Sequence, residues 1–389
     1  VKRLGEVYKA FLKLGLSSFG GPLAHLAYFR DEFVARRRWL SDAAYADLVA
    51  LCQFLPGPAS SQVGMALGHQ RAGVAGALTA WAAFTLPSAM LLTLFALGLT
   101  RFDVAADAPW LRGFKVAAVA VVAQAVWGMA RLLAPDARRR GLALLAAGLS
   151  LGLPGVWSQV LVIALCGVAG RLWLSAPKDR PAGFKTSLTR RQGRAWLGAF
   201  AALLALLPLA AALGWPGAGL IDACYRAGAL VFGGGHVVLP LLQAEVVGRG
   251  WMDSASFIAG YGAAQAVPGP LFSFAAFVGA AGTQTPNAWL GAAVALAAVF
   301  LPSLLLVLGA LPFWAALKSQ SGLRQAFSGI NAGVVGLLLA ALWHPVGSSA
   351  IHGPADLGLA LLAWALLQRF HTPPWAVLMF CALVMQALA

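Results

Sequence analysis

Long apolar runs alternate along the chain with short breaks rich in Gly, Pro or Arg. The runs at 74–100, 116–130, 141–170, 195–213, 287–311, 325–343, 354–368 and 373–388 are almost free of charge. A helix crosses a bilayer with about 20 mostly apolar residues, and these runs lie near or above that length. Four further apolar segments are interrupted, at Gly20–Gly21–Pro22, Pro56–Gly57–Pro58, Gly233–Gly234–Gly235 and Pro268–Gly269–Pro270. The pattern predicts an all-α polytopic membrane protein of about nine spanning helices and four re-entrant hairpins. Counting every broken segment as a span gives about 13.

Composition agrees. The chain is 60% hydrophobic and 11% charged, against about 45–50% and about 25% in soluble domains. So much apolar sequence exceeds what a soluble core needs, which makes the bilayer the solvent. The chain starts at Val1 rather than Met, and a few leading residues are expected before it. Residues 1–13 carry Lys2, Arg3, Lys9 and Lys13 between apolar positions. They lack the continuous apolar run and cleavage site of a signal peptide and read as an amphipathic entry into the membrane.

The interruptions form two sets. FGGP at 19–22 is matched by FGGG at 232–235; Trp39 follows twenty residues after Phe19, and Trp251 nineteen after Phe232. Gln53 opens QFLPGP fourteen residues after Trp39, and Gln265 opens QAVPGP fourteen after Trp251. Leu86–Pro87–Ser88 matches Leu301–Pro302–Ser303, and Glu32 and Glu245 each lie thirteen residues past their Phe. Apolar composition alone does not reproduce an ordered series of Gly, Pro, Gln, Glu and Trp. The chain is a duplication.

Charge orients the two copies. Residues 1–194 hold 23 of the 28 Lys and Arg, clustered at Arg36–Arg38, at Arg131 with Arg138–Arg140, and in a stretch from Lys178 to Arg194. Basic short loops stay cytoplasmic. With all three clusters inside, four crossings precede the linker, and run 195–213, without a counterpart in the first copy, crosses alone. The second copy is therefore inverted, a common transporter plan. The expected organisation is an N-terminal repeat (1–175), a basic cytoplasmic linker (176–194), an unpaired connecting helix (195–213) and a C-terminal inverted repeat (214–389). N-terminus and linker would be cytoplasmic and the C-terminus periplasmic.

Broken helices at membrane depth are tolerated only where they are buried in protein or line a watery cavity. Pro22, Pro58 and Pro270 suit the openings of half-helices, whose N-termini favour anions. Four such ends around one point would match a doubly charged oxyanion, provided the C-terminal ends of the opposing arms are offset or satisfied. Gln53 and Gln265 could add amide donors, and Ser60, Ser61 and Ser273 hydroxyls. The alternative is that these Gly and Pro residues merely kink helices for tight packing. His25 and His236, just past the FGG breaks, are candidates for proton coupling or for simple packing. Glu32 and Glu245 are coupling candidates or members of salt bridges. Arg30 and Arg71 are candidate anion contacts, or charges that position loops.

Other chemistry finds little support. Cys52, Cys166, Cys224 and Cys381 are single and far apart, which supports neither a metal site nor a disulfide framework. No phosphate loop or dinucleotide fingerprint is present, so no cofactor is expected, no enzymatic activity is indicated, and energy would come from an ion gradient or a partner chain. The formal charge of +15 reads as loops facing anionic lipid rather than as nucleic-acid binding.

SFGGPLAHL, RDEFVARRRWLS and LCQFLPGPASSQ in the first copy resemble the chromate ion transporter family, as do FGGGHVVLPLL and GAAQAVPGPLFSFAAFVGA in the second. The likeness covers nearly the whole chain, in the family's long, two-repeat form; residues 110–215 and 313–389 add little to it. It implies a bacterial inner-membrane exporter of chromate, with sulfate as mimic or competitor, a proton-linked or other gradient-driven cycle, and cellular chromate resistance. It carries over Phe19 to Pro22, His25, Gln53, Pro56 to Pro58 and their second-copy counterparts as motif positions. Gly235 stands where the first copy has Pro22, so the corners are not equivalent. A sulfate or broad oxyanion carrier, an anion channel and a membrane-bound reductase are the alternatives. A homodimer is compatible with such a fold.

Overall fold

A computed structural model describes residues 2–19, 21–102, 108–153, 156–175, 184, 186–232 and 237–388. The side chains of Pro22, Leu23, residues 156–158, Lys318 and Ser319 lie outside this description. Among the described residues, helix is the only extended regular structure. The first part runs α1 (Lys2–Ser17), α2 (Gly21–Arg30), α3 (Asp42–Phe54), α4 (Ala59–Arg101), α5 (Pro109–Leu133), α6 (Ala137–Gly152) and α7 (Val156–Trp173). After α8 (Arg190–Ala212) the order begins again with α9 (Ala218–Leu230), α10 (Val238–Val246), α11 (Ser254–Ala266), α12 (Phe274–Ala281) and α13 (Ala288–Ala310). It continues with the short α14 (Trp314–Ser319), α15 (Ser321–Ala341), the single turn α16 (Ser348–Ala350), α17 (Pro354–Arg369) and α18 (Pro374–Ala387).

Local chemistry sets the boundaries in the same way in both copies. Ser41 caps α3 by accepting from the Ala44 N–H, and Asp253 caps α11 by accepting from Ser256; each satisfies a donor that the first turn leaves unpaired. Helix α8 opens on a Thr189–Gln192 capping box. Pro58 and Pro270 occupy the N-cap, one residue ahead of the first helical position expected for them. Helix α4 is two helices meeting at Ala72–Gly73, whose φ/ψ values leave the helical region. Its first arm, to Arg71, is about 20 Å long at 1.5 Å per residue, too short for a hydrocarbon core of about 30 Å. It therefore pairs with α3 as a hairpin that enters and returns. Helices α11 and α12 repeat that arrangement.

Five stretches are long and apolar enough to cross a membrane: Ala59–Arg101, Pro109–Leu133, Arg190–Ala212, Ala288–Leu317 and Ser321–Ala350. Nine spans would also require α6, α7, α17 and α18. At 16, 18, 16 and 14 residues these measure about 21–27 Å by helical rise, short of the full core on length alone.

The two copies are interlocked. Helix α5 packs against α17 and α18 of the second copy, while α15 packs against α6 and α7 of the first. Glycine makes these contacts close. A Cβ on Gly113 would lie 2.5 Å from the Cys381 carbonyl oxygen, and one on Gly336 would collide with the Ala143 carbonyl. Within each copy the first helix crosses a span that contains an internal proline: Gly15 of α1 faces the carbonyls of Ala83 and Phe84, and Gly228 of α9 faces the Val299 carbonyl and Pro302. Pro87 and Pro302 each withdraw one ladder donor, so small residues close against the disrupted backbone. The buried core runs without a break through both copies, from Phe11, Phe29 and Phe33 to Phe272, Phe274 and Phe300.

Candidate functional site

The two PGP turns are not remote from the FGG corners; each docks on the corner of the other copy. The Gly57 N–H donates to the Val231 carbonyl at 2.6 Å, and the Gly269 N–H donates to the Ser18 carbonyl at 2.9 Å. Ser18 and Val231 are the residues before Phe19 and Phe232, so one exchange is made twice. Both glycines need positive φ, +117° at Gly57 and +97° at Gly269, where a side chain is strained. Space is equally restrictive. A Cβ at Gly57 would lie 2.6 Å from Ser303 Oγ, and one at Gly269 would lie 3.0 Å from Ser88 Oγ. The matched Leu-Pro-Ser serines thus each cover the PGP turn of the opposite copy.

Polar groups gather around these two docks. His25 is buried, with Nε2 3.2 Å from the Ser18 carbonyl and Nδ1 3.4 Å from Ser60 Oγ, and its ring meets Phe84 edge-on. Gln62 Nε2 donates to the Pro56 carbonyl at 2.7 Å and so braces the first turn. Ser273 Oγ donates to the Pro270 carbonyl at 2.7 Å and braces the second. Several buried atoms here have no hydrogen-bond partner: Ser18 Oγ, Ser61 Oγ, Gln62 Oε1, Thr85 Oγ1 and Ser303 Oγ. Buried polar groups left unpaired cost free energy, and other such atoms lie elsewhere in the protein, at Gln159, Gln243 and Gln284 among them.

The structure therefore assembles Pro56, Gly57, Pro58, Ser60, Ser61, His25, Gln265, Pro268, Gly269, Pro270 and Ser273 around the docks. Gly21 and Pro22 open α2, next to Ser18 in sequence. Gly20, Gly233, Gly234, Gly235 and His236 lie outside the described residues. Gln53 does not join its counterpart. It is exposed, whereas Gln265 is half-buried with its amide nitrogen covered. Gln62 supplies the buried amide of the first copy instead, at a place where the second copy has Phe274. Gln62, Ser18 and Thr85 were not foreseen. Ser88 and Ser303 were visible as a matched pair, without an assigned role.

The acidic candidates belong to a second duplicated feature. Glu32 is surrounded by Arg37 at 2.7 Å and by Lys13 and Arg36 at 3.6 Å each. Glu245 is held by Arg226 at 2.8 Å and Arg249 at 2.9 Å, and Asp222 pairs with the same two arginines at 2.7 and 3.4 Å. Lys13 and Arg226, and likewise Arg36 and Arg249, are separated by the same 213 residues as Phe19 and Phe232. Arg37 stacks over Trp39 and Arg249 over Trp251, with 5.8 and 5.1 Å to the ring centroids, a cation–π contact that explains the matched tryptophans. Arg30 and Arg71 are engaged elsewhere, Arg30 with Asp42 and Arg71 with Glu6 and Trp39. Arg71 also lines a basic cleft of about 790 Å³ with Lys2, Arg3 and His69.

Comparison with known proteins agrees with this duplicated arrangement. The family model described as "Chromate transporter" matches residues 5–171 and again residues 218–386. A "Chromate transport protein" of Pseudomonas aeruginosa is 30% identical over 86% of this chain and 79% of its own. One from Cupriavidus metallidurans is 28% identical over 94% of this chain and 88% of its own. A "Probable chromate transport protein" of Synechococcus elongatus is 26% identical, covering 95% and 92%. No solved structure matches the chain.

Proposed function

The chain belongs to the chromate transporter family, and from that premise we propose that it exports chromate across the bacterial inner membrane as a secondary transporter. The two copies act as inverted repeats about the crossing of the PGP turns and FGG corners, with the N-terminus and basic linker cytoplasmic. The observation that carries this reading is the paired cross-copy docking, Gly57 on Val231 and Gly269 on Ser18, among orphaned hydroxyl and amide groups.

Both docking N–H groups are occupied by carbonyls in this conformation, so the anion cannot use them until a dock opens. Opening frees one N–H, and the hydroxyls of Ser18, Ser61, Thr85 and Ser303 are donors without another partner to lose. Oxyanions accept such bonds, and charge-assisted ones are about twice as strong as neutral ones. Because each turn is pinned to the opposite copy, one dock can open while the other stays shut, which is the requirement of alternating access. Among the described candidates, His25 is the one in the crossing, since Glu32 and Glu245 are neutralised by cations. The basic cleft beside Arg71 gathers anions at the cytoplasmic face.

Sulfate has the same shape and charge as chromate and is the main competing cargo. Purified protein in liposomes tests the reading. Saturable chromate flux, competed by sulfate and accelerated by an imposed pH gradient, is the expected result. Flux that does not saturate and ignores the gradient would make the protein a channel; no chromate flux at all would remove the reading.

A further inference from the structure

We infer that Lys115 supplies the fixed positive charge that holds the transported dianion beside the second PGP hairpin. The inference rests on the reading of the chain as an oxyanion carrier, and it adds a residue that neither the motifs nor the docks contain. Among the described residues, the buried charged side chains are Glu32, Asp47, Lys115, Asp222, Glu245 and Asp356, and Lys115 is the one cation.

Lys115 is 5% exposed and stands in α5, a helix long and apolar enough to span. It lies about 9 Å in from the helix start by rise per residue. A lysine near a span end ordinarily extends its ammonium to the membrane surface. This one is covered by protein instead and interacts with the groups around it. An ionisable residue kept inside a membrane protein is costly and points to function.

Its surroundings connect it to the crossing. The carbonyl of the preceding residue, Phe114, packs against Gly262 of α11, where a Cβ would lie 2.5 Å away. Gln265, whose side chain hydrogen-bonds Tyr261, follows less than one turn later on the same helix. Phe114 also stacks on Phe95, which stacks on Phe277 of α12, at 6.0 and 5.9 Å between ring centroids. Helix α5 packs directly on α11, so Lys115 stands one residue from a backbone contact with the arm that leads into the second PGP turn.

The test compares tetrahedral anions that differ in charge. Wild type, Lys115→Gln and Lys115→Arg are purified, their melting temperatures are recorded, and chromate uptake into liposomes is measured with sulfate or perchlorate as competitor. Sulfate carries two charges and perchlorate one. In Lys115→Gln, the half-saturating chromate and the half-inhibiting sulfate should rise at least about ten-fold, about 1.4 kcal/mol. Inhibition by perchlorate should weaken less, and Lys115→Arg should restore most of the preference for two charges. A Lys115→Gln protein with an unchanged sulfate-to-perchlorate ratio overturns the inference, whether or not it melts earlier, because a purely structural lysine has no reason to discriminate charge. Should Lys115→Gln fail to fold, the ratio in Lys115→Arg decides alone: a ratio near wild type with normal flux supports a charge requirement, and a lost ratio overturns it. Wild type that moves no tetrahedral dianion would instead defeat the underlying transport reading.

Discussion

At the scale of single residues, the crossing depends on backbone positions that only glycine fits. Gly57 combines φ of +117° with neighbours that leave no room: a Cβ would meet Ser303 Oγ at 2.6 Å and Gln62 Nε2 at 2.7 Å. Gly57→Ala adds left-handed strain of about 1–2 kcal/mol and pushes apart the groups that hold the dock. It should lower the melting temperature in detergent and abolish most chromate flux. Gly73 is the control, since its φ is +65° but nothing lies within 4 Å of a Cβ. Gly73→Ala should cost the strain alone and leave flux largely intact. Equal transport defects in the two variants would show that space around Gly57 is not what matters. This pair was half legible beforehand. Pro-Gly-Pro signals a turn with a special backbone, but nothing in the residues near Gly57 names Val231 or Ser303 as its neighbours, because those contacts arise between copies. Gln53 shows the opposite limit. Its match to Gln265 is real at the level of spacing, yet one side chain faces outward and the other inward, since equal position in a repeat does not guarantee equal packing.

At the scale of elements, apolar runs and Gly/Pro breaks identify most helices, and the pairing of α3 with α11 followed from the matched PGP motifs. The exchange of α5 and α15 did not. Membrane helices associate through close backbone contact between small residues, and so many of this chain's 44 glycines sit in apolar helices that composition does not say which ones face a neighbour. The structure separates them. Gly336 of α15 abuts the Ala143 carbonyl and the Ala146 side chain of α6, whereas Gly198 of α8 has open space. Gly336→Leu should force α15 away from α6 and destabilise the protein by about 1–3 kcal/mol, the range for overpacking. Gly198→Leu should change melting by less than the error of the measurement. The comparison is informative because both sites are apolar helix positions and differ only in what a side chain would meet. A loss of stability confined to Gly198→Leu would contradict the α15–α6 contact.

At the scale of the whole molecule, the interlock and the crossed docks make the same demand: neither copy is complete without the other. The first copy alone would leave α5 without α17 and α18, and would leave the Gly57 N–H without the Val231 carbonyl. It would also leave α6 and α7 without α15 between them. Exposed faces of this kind in lipid lose packing and hydrogen bonds rather than hydrophobic burial, so the isolated half would be loosened rather than merely inactive. Covalent continuity through the linker is a separate matter. The linker joins α7 to α8, and among its described residues none takes part in the two dock hydrogen bonds. Cutting the gene so that residues 1–176 and 177–389 are made as two chains should therefore give a co-purifying pair with near wild-type flux, while each chain made alone accumulates poorly and transports nothing. Helix α8 must stay with the second chain, because an odd crossing between the copies is what would set them in opposite orientations. Deleting α8 from the second chain should abolish flux even when both chains are present. If either half alone moved chromate at rates near wild type, the crossed docks between copies could not be the transport site.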